Sequence, residues 1–165
     1  MKLYELIEEG ALVTGEDHRG YLRVRTWRDV IRERRFGTNE MYCCALGTAY
    51  VALVGEPEYR SAARCEFSGR KPVFRDLRHA IGASRLVVNC PRCSYRQDLL
   101  TVVDHLHRTM DEHDGHEWPR LKIVEWLKPI EDAYAAAHPE AHEKSVSRET
   151  VARDLRIGRS TGKRL

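Results

Sequence analysis

Residues 85–93 read Arg-Leu-Val-Val-Asn-Cys-Pro-Arg-Cys, and this stretch decides how the rest of the chain is interpreted. The apolar run before residue 90 predicts a short strand, and Pro91 favours a tight turn directly after it. Two residues between Cys90 and Cys93 allow both sulfur atoms to bind one ion at about 2.3 Å. In a reducing compartment such a pair binds metal or does redox chemistry more often than it forms a disulfide. The stretch therefore predicts a zinc knuckle that stabilises a small domain.

A zinc ion in a structural site needs four protein ligands, and the segment after the knuckle offers histidines for the other two. Spacing favours His107 and His113, because C-x2-C-x13-H-x5-H approaches the zinc-finger pattern. On a helical wheel His107 flanks the apolar stripe of the helix predicted over about 98–110, whereas His105 points further from it. His116 is the fourth candidate, so the residues alone leave the histidine pair open.

Several short motifs follow one another over about two thirds of the chain. They are Cys44-Ala45-Leu46-Gly47, Cys90-Pro91-Arg92-Cys93, His105-Leu106, His116-Glu117-Trp118 and Trp126-Leu127. In this order they resemble a group of small, poorly characterised proteins of bacterial genomes and prophages, although His107-Arg108 stands where the group has Asn-Asp and the link to His116 is longer. The resemblance implies that His105 and His116 complete the metal site, and it implies a phage or mobile-element origin without an established activity.

The periodicity of apolar residues predicts a mostly helical α+β domain with a finger-like zinc element and, separately, a short β-hairpin. Residues 1–144 are predicted to form one zinc-stabilised domain, followed by a C-terminal helix and basic tail at 145–165. Two short strands around a turn at Glu16–Gly20 form the predicted hairpin, at 12–15 and 21–25. Helices are predicted at 3–9 (ended by Gly10), at 40–54 as a buried central helix, at about 72–81, 98–110 and 119–137.

Composition predicts that the protein resides in a reducing compartment and has no membrane partner. The chain has 165 residues, 42% of them hydrophobic and 32% charged, and no apolar run approaches the roughly 20 residues of a membrane span. Acids interrupt the apolar N-terminal stretch, which is therefore not a signal peptide, and the expected location is the cytoplasm, that of the host bacterium if the protein is phage-encoded. The cysteines are odd in number, and Cys43 and Cys44 lie in the most apolar segment, which predicts buried thiols.

The net charge is only +3, but it is unevenly distributed. Basic residues concentrate at 18–36 and 148–165, whereas 111–143 is acidic, a pattern of nucleic-acid-binding proteins and also of ordinary solvated surfaces. Residues 145–155 look like the recognition helix of helix-turn-helix regulators, with a capped surface helix as the simpler alternative. The candidate residues for nucleic-acid or protein partners are Arg148, Arg153, Arg156, Arg159, Lys163 and Arg164.

Three functions are compatible with these patterns. The first is a zinc-stabilised binding or regulatory protein that acts through a protein or nucleic-acid partner. The second is a zinc-dependent hydrolase or nuclease, for which residues 111–117 supply acids and histidines. Neither H-E-x-x-H nor a His-x-Glu with a paired C-x-x-C is present, and no catalytic residue is assigned. The third is a virion-associated structural component, and the patterns favour the first.

Overall fold

The computed structural model describes residues 1–16, 41–55, 70–107 and 115–139, of which 66% are helical. The predicted fold class, a mostly helical α+β fold with a short antiparallel hairpin and a finger-like Cys/His element, is confirmed. Among the described helices, none is both long and apolar enough to cross a membrane. The elements are α1 (Leu3–Ala11), β1 (Thr14–Glu16), β2 (Met41–Cys43), α2 (Ala45–Val54), α3 (Arg70–Ala80), a 3-10 turn (Gly82–Arg85), β3 (Val87–Asn89), β4 (Arg96–Asp98), α4 (Leu99–His107) and α5 (Arg120–Ala137).

Helix α2 is the buried centre of the fold, as its apolar sequence predicts. Every side chain from Ala45 to Val54 is buried except that of Ala52, which is half-buried. Cys44 caps the start of the helix, because its sulfur accepts a hydrogen bond from the backbone N–H of Gly47 at 3.3 Å. It ends at Gly55, whose φ of 83° lies in the region that glycine adopts without steric cost. The segment before it is wrongly predicted as helix, because residues 41–43 form strand β2.

Helix α1 packs across α2, and here the prediction that Gly10 ends the helix is wrong. The helix continues to Ala11, and Gly10 lies buried against Thr48 of α2. Leu3, Leu6 and Ile7 are fully buried on the same side of α1, as their helical spacing predicts. Gly10 therefore permits the two helix backbones to approach closely, and its role is packing instead of termination.

The described residues contain two small sheets, one parallel and one antiparallel. Strand β1 exists, but it pairs in parallel with β2, and the predicted partner at 21–25 lies outside the described residues. The antiparallel hairpin is β3–β4, with Val87 opposite Asp98 and Asn89 opposite Arg96. Strand β3 follows the prediction, whereas the polar sequence Arg-Gln-Asp of β4 gave no strand signal.

Helices α3, α4 and α5 complete the core and position the hairpin beside α4. Each helix buries one apolar stripe. The observed bounds agree with the predicted ranges to within a few residues. The last three residues of the predicted helix 98–110 lie outside the described residues. The predicted helix and tail at 145–165 also lie outside them. The buried stripes are Val73 and Leu77 on α3, Leu99, Leu100, Val103 and Leu106 on α4, and Ile123, Val124 and Leu127 on α5.

Candidate metal centre

The β3–β4 hairpin places two cysteines at its tip. Cys90 follows β3 directly, and its backbone N–H donates to the carbonyl of Tyr95 at 2.7 Å, which closes the loop between them. Inside this loop the N–H of Arg92 points at the sulfur of Cys90 at 3.4 Å. Cys90 is buried and Cys93 is exposed. We call residues 90–95 the knuckle, and its backbone geometry turns both thiols toward α4.

Helix α4 brings His105 back to the knuckle. The helix starts directly after β4, where the carboxylate of Asp98 accepts hydrogen bonds from the N–H and hydroxyl of Thr101 at 3.2 and 2.9 Å, an N-terminal cap. His105 lies near the end of α4, and its Nε2 is 3.3 Å from Sγ of Cys93. The ring of Tyr95 packs on the imidazole of His105 with centroids 4.5 Å apart, which orients it.

Residues 115–119 return along the end of α4 and supply His116. The N–H groups of His116 and Trp118 donate to the carbonyls of His105 and Leu106 at 3.3 and 2.8 Å, so they satisfy two acceptors that a helix end leaves open. Glu117 between them has a φ of 50°, in the left-handed region. This turn directs His116 to the knuckle, where its Nε2 is 3.4 Å from Sγ of Cys93. It also directs Trp118 into the core.

The four side chains of Cys90, Cys93, His105 and His116 form one cluster that can hold a metal ion. One ligand atom from each residue lies within 4.8 Å of all the others. A tetrahedron with metal–sulfur bonds of about 2.3 Å and metal–nitrogen bonds of about 2.0–2.1 Å has sulfur–nitrogen edges of roughly 3.5 Å. The two Cys93–histidine distances, 3.3 and 3.4 Å, match that edge closely.

The electrostatics of the cluster favour a divalent cation. Burial raises the pKa of the Cys90 thiol, so this sulfur is a poor thiolate until a cation neutralises it. Two thiolates balance the charge of one divalent ion, and two neutral imidazoles complete its coordination. With four protein ligands the set is closed, which is the arrangement of structural sites.

The structure brings together the histidine pair that the resemblance implies, and it corrects one member of the pair that spacing favours, His107. His107 lies away from the cluster: it is fully buried, and its Nδ1 is 2.8 Å from the carbonyl oxygen of Trp118. Two positions along a helix turn a side chain by about 200°, so His105 and His107 leave α4 on opposite sides. His113 lies outside the described residues, as do the basic candidates Arg148, Arg153, Arg156, Arg159, Lys163 and Arg164.

Sequence reasoning missed a buried polar network around Arg120. Its guanidinium donates to the hydroxyls of Thr14 and Thr48 at 2.9 and 2.8 Å and to the carbonyl of Thr14 at 3.0 Å. Its backbone N–H donates to Glu16 at 2.6 Å. Burial lowers the pKa of Arg120, yet these acceptors, with Glu16 nearby, stabilise its charge. Nothing local marks Arg120, because its acceptors lie more than 70 residues away in sequence.

A second missed group is Glu131, which is only 1% exposed. Its two carboxylate oxygens accept hydrogen bonds from the N–H groups of Leu3 and Tyr4 at 2.8 and 2.9 Å, so it caps the start of α1 from the other end of the chain. A usable signal exists here, since position 131 falls on the apolar stripe of α5, four residues after Leu127. A charged residue at a stripe position indicates a buried partner.

Comparison of the chain with models of known protein families, with curated proteins and with solved structures finds no significant match in any of the three. No function is therefore transferred from a relative.

Proposed function

We propose that this protein is a small zinc-stabilised binding or regulatory protein in which Cys90, Cys93, His105 and His116 hold one structural Zn²⁺. One observation supports this above the others: Sγ of Cys93 lies 3.3 and 3.4 Å from Nε2 of two histidines that approach from different segments. The phage or mobile-element origin implied by the resemblance forms part of the same proposal.

Zinc is the metal that fits this donor set best. Two sulfur and two imidazole ligands in a tetrahedral arrangement suit Zn²⁺, whereas Mg²⁺ and Ca²⁺ prefer oxygen ligands. The cluster contains no carboxylate among its four donors. Zinc also has no redox chemistry of its own, which suits a stabilising site in a reducing compartment.

The ion would supply stability that the knuckle otherwise lacks. Residues 91–97 are all exposed, so burial of apolar surface contributes little to holding the hairpin tip in place. A structural zinc contributes about 10–16 kcal/mol of apparent binding free energy in zinc-finger peptides at neutral pH. Here it would link the hairpin, the end of α4 and residues 115–119, which are three separate segments.

The closed ligand set argues for binding and against catalysis. A catalytic zinc keeps three protein ligands and one position for water, as a hydrolase or nuclease requires. In this cluster the fourth donor is present, so an open position would require one ligand to leave. The protein therefore acts through a macromolecular partner, either a protein or a nucleic acid, with assembly into a virion as one form of such binding.

Metal analysis of the purified protein tests the zinc site directly. We expect one zinc per chain by mass spectrometry of metals, and X-ray absorption with two sulfur and two nitrogen neighbours at about 2.3 and 2.0–2.1 Å. Chelation should lower the melting temperature, because metal binding and folding are coupled. Absence of stoichiometric metal would refute the zinc site, and three protein ligands plus a water would favour the hydrolase instead.

A further inference from the structure

A concave basic groove lies on the face formed by α3 and the 3-10 turn. Its lining consists of one aromatic and four basic side chains: Phe74, Arg75, Arg78, His79 and Arg85. Arg75, Arg78, His79 and Arg85 are exposed, and Phe74 is half-buried. The rim of the groove is therefore exposed to solvent, and Phe74 makes part of its lining apolar.

A buried carboxylate fixes Arg75 at this groove. The Nε of Arg75 donates to Asp76 at 2.9 Å, and the side chain of Asp76 is only 5% exposed while that of Arg75 is 65% exposed. The other oxygen of Asp76 accepts a hydrogen bond from the hydroxyl of Tyr50 at 3.0 Å, and Tyr50 is fully buried in α2. The core therefore orients a guanidinium toward solvent, which lowers the entropic cost of binding an anion.

The basic surface continues from the groove toward the knuckle. Arg78 donates to the carboxylate of Asp98 at 2.9 Å, at the end of β4. Side chains alternate along a strand, so the exposed Arg96 lies on the same face of β4 as Asp98. In the described part of the chain, Asp76 pairs with Arg75 and Asp98 pairs with Arg78. Arg85 and Arg96 add positive charge at the two ends.

Phe74 decides which polyanion this surface suits. Its ring lines the groove, with the guanidinium of Arg78 at 6.0 Å from the ring centroid. Proteins that bind single-stranded nucleic acid combine a positive groove along the phosphates with aromatic side chains on which bases stack. Bases in a duplex are already stacked on each other, so an aromatic ring in a groove favours an unpaired strand.

We infer that the groove of Phe74, Arg75, Arg78, His79 and Arg85 binds single-stranded nucleic acid, with phosphates on the arginines and a base on Phe74. The inference rests on the proposed function in one respect: the zinc ion would hold the hairpin that carries Arg96 and Asp98. It differs from the sequence-based expectation, which assigns partner contacts to the basic tail.

Fluorescence anisotropy with the full-length, zinc-loaded protein and a labelled 15-nucleotide single strand tests the groove. We expect the double variant R75Q/R85Q to reduce the slope of log K against log salt by about 1.4, two phosphate contacts at about 0.7 each. F74L should weaken binding about fivefold or more, the smallest loss expected for one stacking contact. The matched control K122Q/K128Q removes two exposed charges from α5 and should bind as the wild type does.

Several outcomes would overturn the groove: no binding at low salt, tighter binding to a duplex of the same sequence, or unchanged affinity and slope in both groove variants. If the tail variant R153Q/R156Q/R159Q lost binding while both groove variants bound the strand as the wild type does, the contacts would belong to the tail. Zinc content and melting temperature are measured for every variant. A zinc-loaded protein that binds no strand refutes the groove alone, whereas a chain without zinc refutes the proposed metal site.

Discussion

Gly10 of α1 lies directly against the backbone of Thr48 in α2, so closely that a Cβ atom at residue 10 would be 2.1 Å from the Thr48 carbonyl oxygen. The obstacle is backbone of the buried central helix and cannot rotate away. The N-terminal helix and the centre of the core therefore have a fixed separation. Thr14 reinforces this contact, because its hydroxyl donates to the carbonyl of Gly10 at 2.8 Å.

The substitution Gly10→Ala should destabilise the protein, although alanine is the better helix former. Helix propensity favours alanine by about 1 kcal/mol, whereas forcing extra volume into a packed contact costs typically 1–3 kcal/mol and occasionally more. We expect chemical denaturation to show a lower free energy of unfolding. Gly82→Ala is the control, since Gly82 is exposed in the 3-10 turn and should change little. A stabilised Gly10→Ala protein would contradict the close approach.

Histidine variants should identify the metal ligands. His105→Asn and His116→Asn remove one donor each and should reduce bound zinc and lower the melting temperature. His113→Asn should keep a full complement of zinc, since the cluster is complete without it. His79→Asn serves as the control, because His79 is an exposed histidine that lines the groove and does not belong to the cluster. Metal loss in His113→Asn together with retention in His116→Asn would reverse the assignment.

Thiol alkylation should distinguish the metal ligands from the core cysteines. Burial raises the pKa of Cys44 to about 12, and Cys43 is fully buried, so neither should react with iodoacetamide in the native protein. Cys93 is exposed and should react first once a chelator removes the metal. Peptide mapping by mass spectrometry, with and without chelator, gives the order of modification. Reaction of Cys44 ahead of Cys93 would show that the core opens more readily than the knuckle.

Glu131 should make stability depend on pH near neutrality. Burial raises its pKa to about 7 from 4.5, although hydrogen bonds from Leu3 and Tyr4 oppose the shift. The folded protein then keeps a proton that the unfolded chain loses between these values, so the free energy of unfolding falls as pH rises through this window. The full effect is at most about 3 kcal/mol.

The measurement compares the wild type with Glu131→Gln by chemical denaturation from pH 5.5 to 8. Acid also weakens metal binding, so the informative quantity is the difference between the two proteins at each pH. That difference should change in favour of Glu131→Gln as pH rises, because glutamine does not ionise. A difference independent of pH would show that Glu131 titrates at its ordinary value.

Removal of the Arg120 guanidinium should destabilise the core around β1 and α2. Hydrogen bonds to a charged group contribute roughly 1.5–3 kcal/mol each, and Arg120→Met loses the bonds to Thr14 and Thr48 while keeping an apolar side chain. We expect a loss of about 3 kcal/mol or more by denaturation. Arg85→Met is the matched control on an exposed site and should unfold as the wild type does. Equal stability of both variants would contradict the network.

Local sequence patterns predicted the elements that depend on near neighbours. The C-x-x-C turn after a strand, the buried helix rich in small residues and the apolar stripes of α4 and α5 all follow from spacings of two to four residues. The same patterns misread Gly10 as a helix end, because a glycine at a close crossing and a glycine at a terminus look alike in sequence. They also missed β4, whose polar residues join the sheet only because β3 lies beside them.

The sequence by itself determined the mostly helical fold and the C-x-x-C turn with Cys90 and Cys93. Only the tertiary structure decided between His105 and His107, because that choice depends on which side of α4 faces the hairpin. The tertiary structure also decided that Glu131 accepts a hydrogen bond from the start of α1 and that Arg75 pairs with the buried Asp76. Periodicity reports which side of a helix is apolar, but the partner of each polar group is set by how distant segments pack.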